Sequence, residues 1–142
     1  MSYATQEELI DRYSERMLVQ LTDRAQPATG EIDAAVVARA LADTDATIDG
    51  YLKGRYRLPL AETPPLVTDL ALQIAIYKLH RKSPDEKIRK DYDDALRTLR
   101  DIASGTVRLD VAGVEPAASG SSGVKTNDRE RPLTPENLKG FV

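Results

Sequence analysis

The chain has 142 residues, 41% of them apolar and 30% charged, with a formal net charge of −3. That is the size and balance of one globular domain with a single core. The excess of acid argues against a general electrostatic grip on nucleic acid, and the absence of cysteine removes disulfides, thiolate zinc sites and cysteine nucleophiles together.

The one histidine, His80, leaves no second imidazole for a metal set or an acid–base pair. With no Trp and one Phe, Leu, Ile, Val and Ala must fill the interior. No run of about 18 apolar residues is present, so no membrane span is expected. The opening MSYATQEEL has no basic start and no apolar h-region, so no secretory signal is expected.

Four helical segments are predicted, then a tail. Thr5-x-x-Glu8 is a capping box, in which hydroxyl and carboxylate each take a free backbone N–H. Leu9, Tyr13, Met17 and Leu21 follow at helical spacing, widened by Ile10 and Leu18. Residues 26–30, QPATG, end that segment. Asp33 is a good N-cap for the second, with Ile32 placed to pack on Val37 as a hydrophobic staple. Val36, Val37, Ala40, Leu41, Ile48 and Leu52 share a face. Asp43-Thr44-Asp45 is polar enough to bend or interrupt it, and Gly50 costs roughly 1 kcal/mol against Ala. Gly54 is expected to cap its end.

Pro65 suits the first turn of the third segment. From Leu66 to Leu79 nearly every side is apolar, the pattern of a helix buried all round, and this segment is expected to be the central one. The fourth opens on Ser83-Pro84-Asp85-Glu86: a serine N-cap, proline at the first helical position and a capping-box glutamate. Ile88, Tyr92, Ala95, Leu96, Leu99, Ile102 and Ala103 form its stripe. Asp85/Arg89, Glu86/Lys90 and Asp93/Arg97 stand four apart with opposite charge. Gly105 is the expected left-handed cap, and alternation over residues 106–111 is compatible with a short strand. The expected fold is all-α: a four-helix bundle-like body over residues 1–112 and an extended, low-complexity C-terminal arm over 113–142.

The arm is rich in Gly, Ser and Pro, without lasting periodicity. It cannot build a core alone. Its charges cancel, four acidic against four basic, so it is not a polybasic arm. Leu133, Leu138, Phe141 and Val142 are anchor-like residues on a tether, expected to gain order against another chain.

Residues 49–60, DGYLKGRYRLPL, crowd glycines, tyrosines and cations together. A phosphate-binding loop needs a strand before the glycines and a helix after; here a helix precedes and an extended stretch follows. The residue types favour structure, with Tyr51, Leu52, Tyr56, Leu58 and Leu60 carrying the chain across the core. Arg55 and Arg57 remain candidates to face an oligomer interface or DNA. Asp43, Asp45 and Asp49 lack the central glycine and closing glutamate of a calcium loop, so a solvated face is expected. No G-x-S-x-G elbow occurs. No catalytic, cofactor or metal site is expected, and the protein is not expected to be an enzyme.

The order of these features resembles one family. I-D-G-Y-L-K-G-R-Y-R-L-P-L at 48–60 is its most specific part. P-P-L-V-x-x-L-A-x-x-I-A-I-Y-x-L at 64–79 and D-Y-x-D-A-L-R-x-L-x-x-I-A-S-G at 91–105 accompany it. These resemble the small helical proteins of Mu-like phages and prophages, and through them the head–tail connector, or head-completion adaptor, proteins of long-tailed phages. The resemblance covers about residues 4–110 and makes residues 48–60 a fold signature. It implies a dodecameric ring of identical subunits seated on the portal protein, extending the DNA channel and meeting a tail-side connector or tail terminator protein. Genomic DNA would pass without specific binding. The implied location is the head–tail interface of the virion, and the host cytoplasm during assembly. The rival reading is a small helical DNA-binding or DNA-packaging protein using Arg55, Arg57, Lys78, Arg81 and Lys82 as one basic patch.

Overall fold

The computed structural model describes residues 2–111. These form five α-helices: α1 (Gln6–Tyr13), α2 (Glu15–Thr22), α3 (Ala34–Leu52), α4 (Pro65–Leu79) and α5 (Glu86–Ser104). No strand occurs among the described residues; 106–111, where alternation suggested one, hold a bend at 106–107 and then run without regular structure. The all-α, bundle-like expectation holds. The arm at 113–142 lies outside the described residues.

The helix count differs from four because the first segment breaks at Ser14. Its backbone sits at φ 83°, ψ 149°, where a non-glycine residue is uncommon. Ser14 closes one helix and opens the next: its N–H donates to the Ile10 carbonyl at 2.9 Å, and its hydroxyl accepts from Met17 N–H at 3.3 Å. A serine hydroxyl competes with the helix for backbone groups, which is why it favours caps over interiors. The apolar spacing continues across the break, so periodicity alone shows no interruption. The bend lets α1 reach both α3 and α4 while α2 packs on α3. Thr5 and Glu8 form the expected capping box.

Elsewhere a predicted interruption is absent. Residues 43–45 lie within an unbroken α3, where the buried Thr44 hydroxyl is satisfied by donating to the Ala40 carbonyl at 2.7 Å. Asp33 caps α3 as expected, accepting from Ala35 and Val36. Its own N–H donates to the hydroxyl of buried Thr22 at 3.0 Å, and Thr22 donates to the Leu18 carbonyl at 2.7 Å. One hydroxyl thus ties the end of α2 to the start of α3.

Helix α4 is the axis. Val67, Leu70, Ala71, Leu72, Ile74, Ala75, Ile76 and Leu79 are all buried, and α4 packs on both α3 and α5. Leu66, at 37% exposure, is the one exposed large apolar residue among those described. Helix α5 starts two residues later than the sequence suggests: Asp85 caps it, accepting from Ile88 N–H at 2.9 Å. Asp is as good an N-cap as Ser, so Ser83 and Pro84 fall in the loop that precedes it. The ion pairs seen on α5 are Lys87–Asp91 at 2.7 Å and Arg97–Asp94 at 3.5 Å. Both involve exposed cations and add little stability.

Gly105 is the expected left-handed cap, at φ 85°. A methyl group there would lie 2.6 Å from the Arg55 guanidinium carbon, so the position needs glycine both for its φ and for the close approach of that cation. Gly105→Ala is expected to cost about 1–2 kcal/mol from the left-handed backbone alone and to swing Arg55 outward; a urea midpoint measures the loss. Gly54 is not a left-handed cap. Helix α3 ends on Lys53 in right-handed geometry, and the Leu52 carbonyl accepts from both Arg55 and Tyr56. The left-handed glycines among the described residues are Gly30 and Gly105.

Candidate interaction surfaces

Residues 48–60 hold three parts of the fold together. Ile48, Leu52, Tyr56 and Leu60 are buried at every fourth position. The Tyr3 backbone N–H donates to Asp45 at 3.0 Å, and the Tyr3 hydroxyl donates to Asp49. Burial, then the Asp49 carboxylate beside it, push the Tyr3 phenol pKa up. Asp45 and Asp49, expected on a solvated face, therefore clamp the N-terminal segment onto α3. At the other side the Tyr56 hydroxyl accepts from the buried Leu109 N–H at 3.0 Å, and the Arg55 guanidinium lies over Gly105.

A second tie joins α1 to α4. Arg12 pairs with Asp69 and lies 5.7 Å from the Tyr13 ring centroid. Burial opposes the Arg12 charge, but the hydrogen bond to Asp69 and the nearby Tyr13, Asp69 and Asp91 together outweigh it and hold the guanidinium pKa up.

Of the sequence-predicted site residues, Arg55 is half-buried against the end of α5 and Arg57 is exposed. Leu133, Leu138, Phe141 and Val142 lie outside the described residues. The five-residue basic patch of the rival reading is divided. Arg55 and Arg57 sit where α3 ends and α4 begins; Lys78, Arg81 and Lys82 sit where α4 ends. The 15 residues of α4 separate the two groups by about 22 Å at 1.5 Å per residue.

At that second end, other elements bring further cations. Three adjoining grooves there share lining residues. The largest, about 410 Å³, lies between the end of α2 and the α4–α5 turn and includes Arg24, His80, Arg81 and Lys82. The second adds Arg89, and the third joins Arg24 to Arg39 and Lys78. Six Lys and Arg line these grooves against two carboxylates, Asp23 and Asp43. Asp23 is already engaged, accepting from Gly30 N–H at 2.8 Å and from the Thr29 hydroxyl at 3.2 Å; those bonds hold its pKa low. The other described residues carry ten Lys and Arg against seventeen Asp and Glu, so charge is segregated along the body. Sequence reading missed Arg24, Arg39 and Arg89 because they come from three different elements; nothing in their spacing along the chain marks them as neighbours.

His80 caps α4, its N–H donating to the Tyr77 carbonyl and its Nδ1 to the Ile76 carbonyl at 2.7 Å. Among the described residues no three side chains are grouped to hold a metal ion, and no helix is long and apolar enough to cross a membrane.

Comparison with known proteins supplies the family. Residues 3–127 match the family described as "Bacteriophage Mu, Gp36". The chain is 33% identical over 140 residues to the Mu-like prophage FluMu protein gp36 of Haemophilus influenzae, covering 99% of this chain and 98% of that protein. It is 34% identical over 142 residues to gene product J of Escherichia phage Mu, covering both chains completely. Family match and relatives together cover the helical body and extend past it, and the chain belongs to the bacteriophage Mu gp36 family of phage proteins.

Proposed function

We propose that this phage protein is a head–tail connector. In this reading, copies of the body form a ring on the portal protein. The ring extends the DNA channel and carries the tail-side connector or tail terminator protein. The action is assembly, without a catalytic step. Ring contacts join one face of a subunit to a different face of its neighbour. The observation that carries the reading is the end-to-end relationship to phage Mu products of a chain whose described part is a helical body, with α4 wrapped by its neighbours. A recognition helix needs an exposed polar face, and α4 offers none, which disfavours sequence-specific DNA binding through it. The arm at 113–142, with Leu133, Leu138, Phe141 and Val142 as anchors, docks on a neighbouring subunit or the portal, and Arg57 stands free to join that interface.

The test is sedimentation of the full chain and of a version ending at residue 112, each mixed with portal rings of its own phage. The full chain is expected to travel with the portal. The shortened chain is expected to keep the helical melting transition and stay behind. A full chain that never joins the portal would overturn the connector role; a shortened chain that joins normally would overturn the role of the arm.

A further inference from the structure

The end of the body built from the close of α2, the start of α3 and the α4–α5 turn gathers Arg24, Arg39, Lys78, Arg81, Lys82 and Arg89 around adjoining grooves. None of these six side chains forms a hydrogen bond or ion pair with another described residue. Lys78 is half-buried and the other five are exposed. Uncompensated cations brought together from several elements repel one another, and an anionic partner relieves that repulsion. The rest of the described surface is acidic in balance, so a polyanion is attracted at this end and repelled elsewhere.

The kind of polyanion follows from what the patch lacks. A protein–protein interface is centred on aromatic or aliphatic anchors, with Arg enriched beside them and Lys depleted. Here no large apolar side chain is exposed: Leu21 and Tyr77 are part-buried lining, and Leu66 lies at the far end of α4. Lys and Arg without an apolar centre are the footprint of contact with a phosphate backbone. We propose that this end of the body binds the phosphate backbone of duplex DNA without reading its sequence. The contact needs only one subunit, so it stands apart from the connector reading.

Fluorescence anisotropy with a labelled 30-base-pair duplex of arbitrary sequence tests it, using the full chain at about 50 mM salt and upward. Binding is expected to weaken steeply with salt, with a log–log slope of up to about −5 if all six cations meet phosphates. Arg81→Ala with Lys82→Ala is expected to make that slope shallower by about 2. Arg81→Glu with Lys82→Glu is expected to weaken binding at least about tenfold, because each reversal replaces attraction with repulsion. Both residues are exposed in the α4–α5 turn, and an unchanged helical melt would confirm that these variants fold. Lys53→Ala with Arg100→Ala, exposed and away from these grooves, is expected to leave binding unchanged. Absence of salt-dependent binding, or equal loss in both alanine pairs, would overturn the proposal. So would charge reversal that alters self-association or portal binding while DNA binding is absent, which would make the patch protein-facing.

Discussion

Ile74→Asp is expected to abolish the folded body. Ile74 is fully buried in the middle of α4, the helix packed between α3 and α5. Aspartate there would have to bury an unpaired carboxylate or take up a proton, and it would also give up the packing of an isoleucine. Either route costs several kcal/mol, against a whole-domain stability of about 5–15 kcal/mol. Circular dichroism should show no cooperative thermal transition. Ile74→Val, which keeps the site apolar, should cost about 0.5–1.5 kcal/mol and melt cooperatively. A cooperative, native-like melt from the aspartate variant would mean that α4 is not the axis of the core.

Tyr56→Phe is expected to lower stability by about 1–3 kcal/mol although it removes one oxygen atom, because a buried donor loses its acceptor. Tyr56 is 3% exposed and Leu109 is 7% exposed, and the phenol accepts the Leu109 N–H. Denaturant midpoints measure the loss. Hydrogen exchange locates it: the Leu109 amide should lose protection more than amides in the middle of α4. A change below about 0.5 kcal/mol, the usual range of surface substitutions, would show that the bond contributes nothing to holding the 106–111 segment on the body.

These two side chains also mark where sequence reading succeeded and where it stopped. The burial of Ile74 was legible because a helix apolar on every side has only one stable place, inside other helices. The caps at Thr5, Asp33 and Gly105 were legible for a local reason: each acts on backbone groups within a few residues. The same locality explains the errors. At Ser14 and at residues 83–86 several residues were competent to cap or break, and local chemistry did not choose among them. At residues 43–45 the polar triplet was read as an interruption, because the sequence does not reveal that Thr44 turns its hydroxyl back onto its own helix.

The candidate surfaces divide in the same way. Residues 48–60 were readable as structure, since a helix precedes the glycines and no helix directly follows them, the reverse of a phosphate loop. Their partners, Tyr3, Gly105 and Leu109, lie 46 to 53 positions away along the chain or outside any repeat. Half of the basic end, Lys78, Arg81 and Lys82, was named from sequence but grouped with Arg55 and Arg57, which α4 holds apart; Arg24, Arg39 and Arg89 were not legible as their neighbours.

Sequence alone determined that this is an all-helical body around one apolar helix, with no cysteine chemistry, because composition, periodicity and capping act over a few residues. Tertiary structure alone decided that Asp45 and Asp49 clamp the N-terminal segment and that Arg55 closes over Gly105. It also decided that six cations from α2 to α5 share one end. Those outcomes depend on which helix ends meet, and that is settled by burying the faces of α3, α4 and α5 against one another.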